Sequence, residues 1–205
     1  MESVILSLCD ESGNMARPWA QNGYDCYVVD IDRDETYIDT QHDGDIIYVK
    51  ADVLEYLPPR KEYEMVFGFP PCTNLAVSGA RWFKDKGLNG LSEGIALVEQ
   101  CRKIAAWADA PWMIENPVST LSTYWREPDY TFHPHEYSNY SDEFDEYTKK
   151  TCLWTSDDFV MPDTDGVEKF DDSYIHEMSP GEERSRKRSL TPQGFANAVY
   201  EFNSP

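Results

Sequence analysis

A cysteine stands behind two prolines in Gly68-Phe69-Pro70-Pro71-Cys72-Thr73, at the close of the apolar run Glu64 to Phe69. The run reads as a short buried strand. The prolines forbid both its continuation and an immediate helix, so the thiol is expected on a stiff turn at a strand's carboxyl end. Open α/β sheets hold their ligands at that edge. Taken alone, such a cysteine reads as a buried structural one. Its company argues for more: Trp112-Met113-Ile114-Glu115-Asn116-Pro117 is a second apolar strand that ends in a carboxylate and another proline-locked turn. A nucleophile and an acid are then offered to one cleft, the pairing that covalent catalysis with general-acid help requires.

The elements that must position these groups follow from the hydrophobic pattern. Ser3 to Cys9 is a continuous apolar run, hence a buried strand, and it opens into the loop Asp10-Glu11-Ser12-Gly13-Asn14. A short helix carrying Met15, Trp19 and Ala20 is expected to end near Asn22-Gly23, before a second strand from Cys26 to Asp32. A glycine-bearing first loop with an acid about 20 residues later suits a nucleoside cofactor, the acid accepting from ribose hydroxyls. With Gly13 alone in the loop, an adenosine cofactor without a pyrophosphate fits better than a GxGxxG phosphate site. Asp30 and Asp32 read equally as solvated acids. A third strand, Asp45 to Val49, delivers Ala51-Asp52-Val53 to the same edge. There Asp52 either accepts from an adenine amino group or caps a short helix through Leu54 and Leu57. Leu91, Ile95, Val98, Ile104 and Ala105 recur at helical spacing, predicting a core helix over Leu91 to Ala108 with Cys101 on its buried face, and a last helix spans Pro192 to Phe202.

Length and charge set the bounds. The 205 residues suit one domain over residues 1–205, and 40% hydrophobic residues suffice for a core despite a net charge of -20. Lys and Arg number 18 against 38 Asp and Glu, and an acidic surface repels nucleic-acid phosphates. Either the substrate is smaller than DNA or the host cytoplasm holds molar salt that screens the repulsion. Arg81, Lys84 and Lys86 cluster after the central turn and suit a substrate phosphate, with solvated loop charge as the plainer reading. The same two readings apply to the basic run ending at Arg186-Lys187-Arg188. Five cysteines without a CxxC pair suggest neither a disulfide framework nor a zinc site. A reducing cytoplasm, no export signal and no membrane association are expected. His133-Pro134-His135 has no third ligand nearby, so a loop role or a substrate contact is expected rather than a metal.

The order of the Gly13 loop, Asp30, Asp52, then Phe69-Pro70-Pro71-Cys72-Thr73-Asn74-Leu75-Ala76-Val77-Ser78-Gly79, then Glu115-Asn116-Pro117 resembles the DNA cytosine-5 methyltransferases. Arg188-Ser189-Leu190-Thr191-Pro192 and Asn197-Ala198-Val199 are similar to that family's C-terminal segments, and the small size is closest to its short phage-type members. The resemblance implies a Rossmann-like S-adenosylmethionine-dependent methyltransferase fold, α/β, with a mostly parallel sheet and helices on both faces. It implies that Cys72 attacks C6 of cytosine while Glu115 serves ring N3, oriented by Asn116. Asp30 with Ile31 would hold the cofactor ribose, Asp52 with Val53 the adenine, and Asp10, Ser12 and Gly13 the methionine end, with Pro70 and Asn197 nearby. Phe69, Pro71, Thr73, Ser78, Arg81, Pro117 and Arg186 would meet the substrate. Lys149 supplies one positive charge where the family carries arginines, without their planar fork. An acidic segment, residues 155–187, takes the place of a target-recognition domain. The expected substrate is cytosine in DNA, with a free deoxycytidine nucleotide as the alternative and a catalytically silent cofactor-binding protein as a third reading.

Overall fold

The chain winds outward from one central strand, returns past it and winds out the other way. The computed structural model describes residues 4–167 and 189–205. Strand β1 (Val4–Leu8) is wholly buried, as its unbroken apolar run demands. It pairs in parallel with β2 (Asp25–Asp30) on one side and β5 (Tyr63–Gly68) on the other. Strand β4 (Ile46–Lys50) joins β2 in parallel, and β6 (Trp112–Pro117) joins β5. Antiparallel strands close the two edges: β3 (Tyr37–Asp39) on β4, and β8 (Thr151–Thr155) on β6 followed by β7 (Tyr130–Phe132). The sheet order is β3-β4-β2-β1-β5-β6-β8-β7. The winding reverses between β1 and β5, so the loops leaving these two strands flank the crevice where ligands of open α/β sheets bind.

Alternation along β1 divides the core. Ile5 faces a cluster with Met15, Trp19 and Phe195, whereas Val4, Leu6 and Leu8 face a cluster with Cys101, Ile104 and Ala105. The first face is covered by α1 (Arg17–Gln21) and α4 (Gln193–Asn203), the second by α2 (Phe83–Ala108). Trp19 is the wedge between α1 and α4, its ring meeting Tyr24 and Tyr200 edge-on at 5.2 and 5.1 Å. Burial of such a side chain contributes about 2 to 3 kcal/mol.

Several elements differ from the sequence reading. The first helix is shorter, and Asp32 lies past the end of β2 in a turn. No helix forms through Leu54 and Leu57: residues 53–55 make one turn, because Pro58 disfavours helical backbone at Leu57. The long helix begins at Phe83, eight residues before Leu91, after a 3-10 turn over Val77–Trp82. Its break is at Gly87, whose φ of 62° and ψ of -159° belong to a region that glycine alone visits readily. Glu115 is inside β6 rather than at its end, since β8 extends the pairing to Pro117 opposite Thr151. A four-residue helix α3 (Leu121–Tyr124) follows, and a second 3-10 turn over Pro134–Tyr140 has His133 at its cap. Of the acidic segment, the described part packs on the body: Phe159 joins the Trp19 face, and the Val160 N–H donates to Asn203 Oδ1 at 2.8 Å.

Candidate active site

The loop leaving β1 is built around a carboxylate turned inward. Asp10 is buried; its Oδ2 accepts from Ser7 Oγ at 2.8 Å, and its Oδ1 accepts from Ser12 Oγ at 3.0 Å and the Gly13 N–H at 2.7 Å. Gly13 has φ 71°, and a Cβ there would stand 2.7 Å from the Tyr48 hydroxyl, so this position requires glycine twice over. Arg33 fastens the loop from the β2 side. Its Nη2 donates to Asp10 O at 2.9 Å and to Glu11 O at 2.7 Å, and its guanidinium lies 4.0 Å from the Tyr48 ring centre.

Beside this loop, Asp30 closes β2 and accepts from the Asp32 N–H at 2.8 Å. Burial pushes its carboxyl above the ordinary range. Ile31 next to it is 56% exposed, an apolar side chain with nothing over it among the described residues. Asp52, beyond β4, accepts from the Leu54 N–H at 2.9 Å, so its carboxylate caps the turn, and Val53 is buried beneath.

The thiol turn and the carboxyl strand are tied together. Asn116 is fully buried and its Nδ2 donates to Pro70 O at 3.0 Å. Beyond it the two loops run side by side: Val77 N–H donates to Val118 O and Thr120 N–H to Leu75 O, each at 3.0 Å. Asn116 was expected to orient the Glu115 carboxyl; its amide is instead committed to the cysteine turn, because the side chains of neighbouring strand residues point to opposite faces. Cys72 begins a single helical turn, its carbonyl accepting from the Leu75 and Ala76 N–H groups at 2.9 and 2.8 Å, and the residue is half-buried. None of the five cysteines is in a disulfide.

Glu115 Oε1 is buried and accepts no hydrogen bond from the described residues. Lys149 Nζ stands 3.8 Å away, an ion pair too long to be a hydrogen bond. Burial pushes the carboxyl up against the opposing pull of that ammonium, so the protonated form is favoured relative to a solvated glutamate. Tyr147, packed nearby, has its phenol pushed up as well, by burial first.

The remaining expected residues fall in three groups. Phe69, Pro70, Pro71 and Thr73 surround Cys72 on the turn, Pro117 follows Asn116, and Ser78 and Arg81 lie on the exposed 3-10 turn. Asn197 is a correction. Its Nδ2 donates to Tyr140 O at 2.8 Å and its Oδ1 accepts from Gln193 Nε2 at 2.9 Å, so it locks α4 to the second 3-10 turn rather than facing a cofactor. Arg186 lies outside the described residues. Two residues that the pattern passed over, Arg33 and Tyr48, join the site under the Gly13 loop through tertiary contacts alone, and Lys86 of the expected basic cluster donates from its ammonium to Thr73 O. No periodicity or motif signals such contacts. Among the described residues no three His, Cys, Asp or Glu side chains gather as a metal site needs, and no helix is long and apolar enough to cross a membrane. Neither a known family model nor a curated protein matches this chain.

Proposed function

We propose that this chain transfers a methyl group from S-adenosylmethionine to C5 of a cytosine, in DNA or as a free nucleotide. The observation that carries the reading is the join between Asn116 and Pro70, which ties together the turn of a half-buried thiol and the strand of a half-buried carboxyl at the carboxyl edge of the sheet. The reversal of winding between β1 and β5 is compatible with a Rossmann-like methyltransferase fold.

The residues by the β1 loop fit this cofactor. The carboxylate of Asp10 already takes the Gly13 N–H that a phosphate would need, and its charge opposes an anion there while suiting a sulfonium and an α-ammonium group. Asp30 at the end of β2 supplies a ribose acceptor, and the exposed face of Ile31 offers an apolar cover for adenine. When bound, S-adenosylmethionine supplies an electrophilic methyl group to C5 and departs as the thioether.

The chain's own residues do the rest. Cytosine C5 is a poor nucleophile until something adds at C6, so Cys72 as thiolate forms a bond to C6. Glu115 in its protonated form donates to ring N3 and neutralises the charge that the attack drives into the ring, which burial of its carboxyl favours. After C5 gains the methyl group and gives up its proton to a base, the C5–C6 double bond re-forms and Cys72 leaves as thiolate. Proline-stiffened turns suit this work, because a misplacement of about 1 Å costs on the order of a hundredfold in rate.

The test is transfer of a labelled methyl group from the donor to cytosine substrates. The wild type is expected to label cytosine and Cys72→Ser to lose labelling while still binding the donor. Donor binding without label in any cytosine form would favour the silent cofactor-binding reading.

A further inference from the structure

The cations of the described residues are distributed unevenly, and the distribution bears on how the cytosine is presented. Arg17, Arg102, Lys103, Arg126 and Lys149 are spent on carboxylates within 4.0 Å. Arg60 and Lys61 precede β5 and lie at the sheet edge opposite the site. At the carboxyl edge, Arg33 and Lys50 are spent on the backbone carbonyls of Asp10, Glu11 and Asp34, and the other described cations without a carboxylate partner are Arg81, Lys84 and Lys86 on one short stretch, with Lys150 just before β8. Lys86 uses one of its three N–H groups on Thr73 O, next to the nucleophile. The guanidinium of Arg81 lies 5.1 Å from the ring centre of Trp82, whose indole is 52% exposed. Across the site, the stretch that leads to Lys149 exposes Asp142 and Glu143.

A duplex held over Cys72 needs phosphate contacts at several places along its backbone, and among the described residues it would meet Asp142 and Glu143 beyond this spot. A single phosphate needs only the spot itself. The chemistry places it there too. C6 is the ring atom beside the glycosidic nitrogen, and in an anti nucleotide the 5′-phosphate lies over the C6 side of the ring. A thiol that attacks C6 therefore has the 5′-phosphate on its own side, where Lys86 and Arg81 are, while N3 faces Glu115 and Lys149 on the other.

We propose that the substrate is a free cytosine 5′-mononucleotide, its phosphate held by Arg81 and Lys86 and its exposed side covered by the Trp82 indole. This rests on the methyl-transfer reading above. No base has to be pulled from a stack, so the few kcal/mol of a flipping step do not arise.

The experiment offers labelled S-adenosylmethionine with dCMP, deoxycytidine, single-stranded DNA and duplex DNA at equal cytosine concentration, in low and in molar salt. The expected result is labelling of dCMP at least about tenfold faster than of deoxycytidine or of either DNA, the size of one charge-assisted contact. Arg81→Met should reduce the preference for dCMP over deoxycytidine by about tenfold, a ratio that a general loss of folding would not move. Faster labelling of single-stranded or duplex DNA, or equal labelling of dCMP and deoxycytidine, overturns the mononucleotide and leaves methyl transfer standing. Absence of label in every form, together with no Cys72 adduct on 5-fluoro-dCMP, overturns both.

Discussion

Replacing Asn116 by aspartate exchanges one NH2 for one oxygen at the join between the two turns, and the consequence can be worked from the structure. Asn116 is fully buried, and its Nδ2 is the donor to Pro70 O at 3.0 Å. Asn116→Asp leaves that buried carbonyl without its donor, which costs about 1 to 3 kcal/mol. It also sets a carboxylate oxygen against the carbonyl in a buried site, and an uncompensated buried charge raises the total to about 3 to 5 kcal/mol at pH 8. Burial favours the protonated form of the new carboxyl, whose O–H can donate to Pro70 O. Stability should therefore recover as pH falls, in the sense that linkage requires for a group with a raised folded-state pKa. Asn116→Ala loses the bond without adding a charge and should rank between the two. Urea unfolding midpoints at pH 8 and pH 5 measure all three. An Asn116→Asp protein that unfolds at the wild-type midpoint at pH 8 would refute the claim that this amide holds the turns together.

Three further outcomes are expected. Lys149→Met removes the cation that opposes the upward push on Glu115, so the alkaline limb of the kcat/KM profile should move to higher pH; an unmoved limb would mean that Glu115 is not the group titrating. Gly13→Ala must place a Cβ at positive φ and 2.7 Å from the Tyr48 hydroxyl, so donor binding measured by calorimetry should weaken about tenfold or more, with about 1 to 2 kcal/mol lost in stability. Asp145 accepts from the Gly194 N–H at 2.7 Å at the start of α4, and burial pushes its carboxyl up to about 6 from 3.8. The stability its protonated form confers is complete below about pH 3.8 and lost as pH rises through about 6. Asp145→Asn keeps the acceptor and discards the charge. The melting temperature at pH 7.5 should then rise by several degrees, for about 3 kcal/mol, and at pH 3.5 should not.

The sequence carried the parts of this site that depend on local rules. Apolar runs marked β1, β2, β4, β5 and β6 to within two residues, and the paired prolines before Cys72 marked the turn. What lay hidden was set by partners distant in the chain. Residues 130–132 and 37–39 are too short to show alternation and exist as strands through pairing with β8 and β4. The stretch before Leu91 has the small and polar composition of a loop, yet Phe83 to Lys86 is helical, with Lys86 reaching back to Thr73 O. Asn197 illustrates the reverse error. It stands in a segment similar to a family motif, but its amide is consumed by Tyr140 and Gln193, which only the packing of α4 reveals.

The central claim is that Cys72 forms a bond to C6 of a cytosine while Glu115 serves N3. Fluorine at C5 cannot leave as a proton does, so a 5-fluorocytosine nucleotide methylated in the site should stay attached to the sulfur. Intact-mass and peptide spectra after incubation with 5-fluoro-dCMP, 5-fluorocytosine DNA and the methyl donor should show one adduct on the peptide bearing Cys72, lost in Cys72→Ser and much slowed in Glu115→Gln. A donor-saturated protein that carries no adduct on that peptide with either substrate would contradict the account.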